Sequence, residues 1–160
     1  ANEGDRKRIN TLIKNLQRCM VANAIVTNNS GDKINSAIKF DKILLDAPCS
    51  GTGLIKGLTR VTKETLKVWN INMVRRLAKL QKSLIINAYN LLDDGGTLVY
   101  STCSLDPEED ENVIDFLLNQ TDARLEPIKI NVKAESNKWI KIWPQHNNTI
   151  GFFVAKLKKP

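Results

Sequence analysis

Apolar positions along the chain fall into two patterns. Ile9, Leu12, Ile13 and Leu16 hold three- and four-residue spacing, with Arg6, Lys7, Arg8, Lys14 and Arg18 between them, which predicts a helix over 4–20. A longer set, Leu66, Trp69, Met73, Leu77, Leu80, Leu84, Ala88 and Leu91, predicts a helix over 62–92, with Thr62 and Thr65 as cap and the turn 93–96 as stop. A third helix is predicted over 107–120, with Pro107 in its first turn and acids near its start. Short apolar runs predict strands over 23–27, 42–46, 97–103, 123–130 and 149–159. The run 42–46 is apolar on both faces, as in a strand covered by helices on each side. Residues 131–148 show little periodicity and predict a loop holding Trp139 and Trp143.

Strands separated by helices predict a doubly wound α/β sheet in one domain spanning 1–160. Ligands of such sheets bind at the carboxyl ends of the strands. Cys49, Cys103 and Ser30 each follow a predicted strand, and Glu3 does so if a strand precedes it. These residues are therefore expected on one edge.

Charge narrows the partners. The chain carries 24 Lys+Arg against 17 Asp+Glu, a net +7, which suits a polyanion, although a lysine-rich surface can also serve solubility alone. No apolar run reaches the roughly 18–20 residues of a membrane span, and the polar opening 1–10 has no signal-peptide pattern, so no membrane partner and a cytoplasmic location are the expectations. Three cysteines, no C-x-x-C and a single histidine, His146, argue against a disulfide framework or a zinc site.

Two of those cysteines carry the chemistry. In "LLDAPCSG", Asp46 ends a strand, Pro48 stiffens the loop, and Gly51 and Gly53 permit close backbone approach to Cys49. In "VYSTCS", Cys103 ends another strand just before a helix. If the strands are neighbours, two thiols and a carboxylate share one pocket. Packing explains a buried cysteine, but not a Pro-Cys-Ser-Gly loop behind an acid. A cysteine hydrolase would need His146 as base, and "WPQHNNT" reads as a polar loop instead.

"DAPCSGTG", followed about fifty residues later by "STCSLDPEEDENVIDFLL", resembles motifs IV and VI of the RsmB/NSUN family of RNA cytosine-5 methyltransferases. "GFFVAKLKK" resembles that family's last core strand, and "ANEGDRKRINTLIKNLQR" its second AdoMet motif. The resemblance implies a Rossmann-like fold that binds S-adenosyl-L-methionine and acts on RNA, tRNA ahead of rRNA. It implies that Cys103 is the nucleophile toward carbon 6 of cytosine. Asp46 would hold the base, Cys49 would assist product release, and Pro48 would shape the loop. It further implies that Glu3 takes the ribose hydroxyls of AdoMet, and that Asp46 also borders the cofactor. Where the family has an adenine-binding aspartate, this chain has Ser30, with Asp32 two residues on.

The family's glycine-rich AdoMet loop has no match here, and its sheet order, 3-2-1-4-5-7-6, leaves strands 1 and 2 without counterparts. An incomplete methyltransferase fold is therefore expected. A complementary polypeptide or a missing N-terminal half would supply the loop and both strands. The competing expectation is an RNA-binding scaffold subunit that keeps the fold without turnover. A DNA substrate fits the motif arrangement less well.

Overall fold

A computed structural model of the chain describes residues 1–35, 37–57, 69–133, 136 and 138–160. Its elements are helix α1 (Ile9–Arg18), strand β1 (Phe40–Asp46), helix α2 (Ile71–Leu91), strand β2 (Leu92–Thr102), helix α3 (Glu111–Gln120), strands β3 (Arg124–Glu126) and β4 (Trp139–Ile142), helix α4 (Pro144–Asn147) and strand β5 (Phe152–Lys158). Short 3-10 turns occupy Gly31–Lys33 and Thr52–Gly57.

The sheet runs β1-β2-β5-β3, with β4 also on β5. β1 and β2 are parallel, with Ile43 opposite Leu98 and Asp46 opposite Ser101. β5 is antiparallel to β2, β3 and β4. This reproduces the 4-5-7-6 part of the expected order, with the last core strand reversed.

Side-chain alternation decides what is covered. Phe153, Ala155 and Leu157 of β5, with Leu98 and Tyr100 of β2, are fully buried. They form one core with Ile85 and Ala88 of α2 and Val113, Ile114 and Leu117 of α3. Tyr100 meets Phe153 edge-on at 6.3 Å, and Trp139 tilts against Phe153 at 5.7 Å. Trp139 is thus a packing residue.

The β1 expectation needs correction. Ile43 and Leu45 pack against the core, but Leu44 between them is 71% exposed. Among the described residues nothing covers that face, and β1 is hydrogen-bonded on one side only. An apolar sequence on both faces therefore does not make this strand buried.

Three further expectations change. The strand predicted over 23–27 is reduced to one parallel bridge between Thr27 and Asn2. Glu3 N donates to Thr27 O at 3.1 Å there. The predicted loop over 131–148 contains β4 and α4 instead, and the strand predicted over 123–130 shortens to β3. The second helix begins at Ile71 behind an Asn70 cap, whose side chain accepts from Met73 N at 2.9 Å. The predicted cap at Thr62 and Thr65, and Leu66, lie outside the described residues.

Candidate active site

The parallel ladder carries two strand ends to one place. After Asp46, Ala47 N still donates to Ser101 O at 2.9 Å, so both chains leave the sheet together. Asp46 is exposed and accepts from Ser101 Oγ at 3.1 Å. Pro48 is exposed beside it, while Cys49 and Cys103 are half-buried. The Cys49 and Cys103 Sγ atoms are 3.0 Å apart, a direct thiol–thiol hydrogen bond.

Backbone contacts fix that approach. Gly53 N donates to Cys103 O at 2.9 Å, and Gly151 N donates to Gly53 O at 2.7 Å. A Cβ at position 53 would lie 2.5 Å from Gly151 O and 2.8 Å from Cys103 O, so glycine is required by space. Gly51 has φ of +74°, a turn conformation that glycine adopts without strain.

Beneath the thiols lies a polar network. Glu109, fully buried, accepts from Ser50 N with both carboxylate oxygens at 3.0 and 3.1 Å, and from Ser50 Oγ. Gln81 of α2 donates to Glu109 at 3.1 Å and to Pro48 O at 2.7 Å. Asp106 accepts from Ser50, Thr52 and Ser104 hydroxyls. Each partner stabilises a carboxylate that burial would otherwise penalise. The acids after Cys103 were expected to serve the helix N-terminus. Glu109 is instead a clamp on the Cys49 loop. The signal in the sequence was a serine after each cysteine, Ser50 and Ser104, facing acids at 106 and 109.

A second buried cluster lies next to it. Lys141 of β4 pairs with Asp110 at 3.1 Å and Glu111 at 2.8 Å, while Thr102 Oγ1 donates to Asp110 at 2.6 Å. Burial pushes the Asp110 carboxyl up to about 7, although Thr102 and Lys141 pull it down. Cys49 is pushed up to about 12, first by burial, then by the hydrogen bond and charge of Cys103.

The remaining candidates form a separate group. Glu3 accepts from Asp5 N at 3.0 Å and pairs with Arg8 at 3.3 Å. Ser30 donates to Asp32. The 30–34 turn is held to α2 by Asn87, which donates to Gly31 O at 2.8 Å and Ile34 O at 3.0 Å. Among the described residues no hydrogen bond or ion pair joins this group to the cysteines. No cluster of three or more His, Cys, Asp or Glu able to hold a metal ion occurs among them either.

A family model described as 16S rRNA methyltransferase RsmB/F matches residues 1–158. The chain belongs to the RsmB/F methyltransferase family. It is 43% identical to a tRNA (cytosine(49)-C(5))-methyltransferase of Pyrococcus abyssi, over 100% of this chain and 55% of that protein. It is 37% identical to ribosomal RNA small subunit methyltransferase F of Shewanella piezotolerans, over 99% of this chain and 35% of that one. The crystal structure of NSun6 from Pyrococcus horikoshii with SFG superposes with a TM-score of 0.87 at 32% identity, covering 99% of this chain and 40% of that one. The chain therefore spans between a third and just over half of these RsmB/F-type relatives. Its sheet is the Rossmann-like sheet of that family, and the paired cysteine loops fall within the matched stretch.

Proposed function

We propose that this chain carries the catalytic centre of an S-adenosyl-L-methionine-dependent RNA cytosine-5 methyltransferase. The observation that carries the reading is the 3.0 Å approach of Cys49 and Cys103 at adjacent parallel strand ends, beside exposed Asp46.

The residues divide the work. Cys49, raised to about 12, keeps its proton and is assigned here as the donor of the thiol–thiol hydrogen bond, Cys103 losing its own proton to water before it attacks. Cys103 is then the partner that adds to carbon 6 of an unpaired or flipped-out cytosine. Asp46 bonds the ring nitrogen or amine and stabilises the charge pattern that makes carbon 5 nucleophilic. The bound cofactor supplies the electrophilic methyl group. Once Cys103 is tied up as a thioether, its hydrogen bond and charge no longer hold Cys49 up. Burial, the first cause, still holds Cys49 up, so Cys49 first gives its own proton to water and, as the thiolate, takes the carbon 5 proton while the Cys103–carbon 6 bond breaks and Cys103 leaves as a thiolate. Pro48, whose carbonyl is held by Gln81, sets the loop.

For the cofactor, Glu3 fits the ribose hydroxyls. Each carboxylate oxygen is used once in the structure, and each can accept a further bond. Ser30 and Asp32 are assigned here to the adenine end, as the matching position in the family suggests. A complementary segment, of the same or another polypeptide, supplies the glycine-rich loop. It pairs with the edge of β1 that is free among the described residues. Transfer RNA is the favoured substrate, supported by the 43% identity to a tRNA enzyme. In the assembled enzyme, Cys103→Ala should abolish methyl transfer to cytosine-containing RNA. Full activity in that variant would overturn the reading.

A further inference from the structure

Arg75, Lys79 and Lys82 follow one another at four and three residues on α2, so they share a helix face. Like charges at that spacing weaken a helix, so helix stability does not account for them. Among the described residues none has an ion-pair partner. With Ala78, Glu108 and Asn112 they line a cleft of about 290 Å³ between α2 and the start of α3. The Lys82 ammonium lies 5.3 Å over the Phe116 ring, which fixes this cation at the cleft wall.

The cleft adjoins the cysteine loops. Gln81, next to Lys82, holds the Pro48 carbonyl, and Glu108 precedes the clamp residue Glu109. We propose that this cleft seats the sugar-phosphate backbone of an unpaired RNA segment flanking the target cytosine, an inference that rests on the function proposed above. Three cations over about 10 Å of helix outweigh the single carboxylate of Glu108. Arg75 offers a planar fork suited to phosphate oxygens. An unpaired strand is the form in which the carbon 6 of cytosine is open.

The test is binding of a fluorescent single-stranded oligoribonucleotide containing cytidine to the assembled enzyme, over a range of salt. The Arg75→Gln/Lys79→Gln/Lys82→Gln variant should bind at least about tenfold more weakly at low salt. Its slope of log affinity against log salt should flatten by about 2, from roughly 0.7 per lost phosphate contact. A matched variant at the opposite sheet edge, Lys39→Gln/Lys42→Gln/Lys158→Gln, should keep most of the wild-type slope. Glu108→Gln, which removes the one anion in the cleft, should tighten binding about two- to threefold. Equal slopes in the two triple variants would overturn the proposal. So would loss of binding to anionic phospholipid vesicles with RNA binding intact. Cys103→Ala should bind with the wild-type slope, so failure of the catalytic reading would appear in methyl transfer and failure of the cleft in the slope.

Discussion

β1 and β2 lie side by side, and both are apolar, yet Val99 of β2 is half-buried while its register partner Leu44 of β1 is 71% exposed. The difference is in their neighbours. β2 has β1 on one side and β5 on the other, with α2 and α3 over one face. Among the described residues β1 has a free edge, and α1, in the same N-terminal third, buries no residue. The half that holds the cysteines is finished, with its own core and buried ion pairs. The half expected to hold the cofactor is open. The thiol pair therefore rests on contacts already present, whereas among the described residues no hydrogen bond or ion pair ties the group expected at the cofactor to it.

Substitutions should separate the halves. The largest loss is expected for Lys141→Met, which leaves Asp110 buried without its cation. About 3–5 kcal/mol should vanish at pH 8. The sign with pH follows from Asp110, whose folded carboxyl is raised from 3.8 to about 7. The folded state holds that proton more tightly, so the stability this contributes is full below the unfolded value and is lost as pH rises through about 7. Losing Lys141 raises the carboxyl further, so urea unfolding should show the deficit shrinking between pH 8 and pH 5. A deficit independent of pH would place the effect in packing alone.

Gly53→Ala comes next. The new methyl would press on two backbone carbonyls within 3 Å, at a cost of about 1–3 kcal/mol. Melting temperature should fall, and alkylation of Cys49 should quicken as the two loops part. Asn70→Ala removes the α2 cap and should cost about 1 kcal/mol by denaturant unfolding. Leu44→Thr should change the stability of this chain by no more than about 0.5 kcal/mol. In a longer form of the protein that packs a helix on that face, the same substitution should cost about 2 kcal/mol. Equal effects in both would mean that the face stays open.

The same contrast governs what could be read from the sequence. β2, α2, α3 and β5 announce themselves because their apolar periods match the faces they bury. β4 does not, because Lys141 occupies a core position. Only its pairing with Asp110 and Glu111, thirty residues away in sequence, makes that tolerable. The run 23–27 has strand composition, but among the described residues it forms just one bridge, Thr27 with Asn2. At the site, Cys49, Cys103 and Asp46 were legible from the two loop motifs, and the parallel register brings them together. Glu109 and Gln81 were not, since an acid before a helix and a glutamine within one look like ordinary surface residues until the loop they hold is in place.

In the proposed mechanism the two thiols, 3.0 Å apart, divide the labour. That division is tested most directly by mixing Cys49→Ala enzyme with cofactor and cytosine-containing RNA and analysing the product under denaturing conditions. The account predicts a stable protein–RNA adduct, mapped by mass spectrometry to Cys103, that is absent from Cys103→Ala. An adduct mapped to Cys49 in the wild-type enzyme, or one that survives in Cys103→Ala, would contradict it.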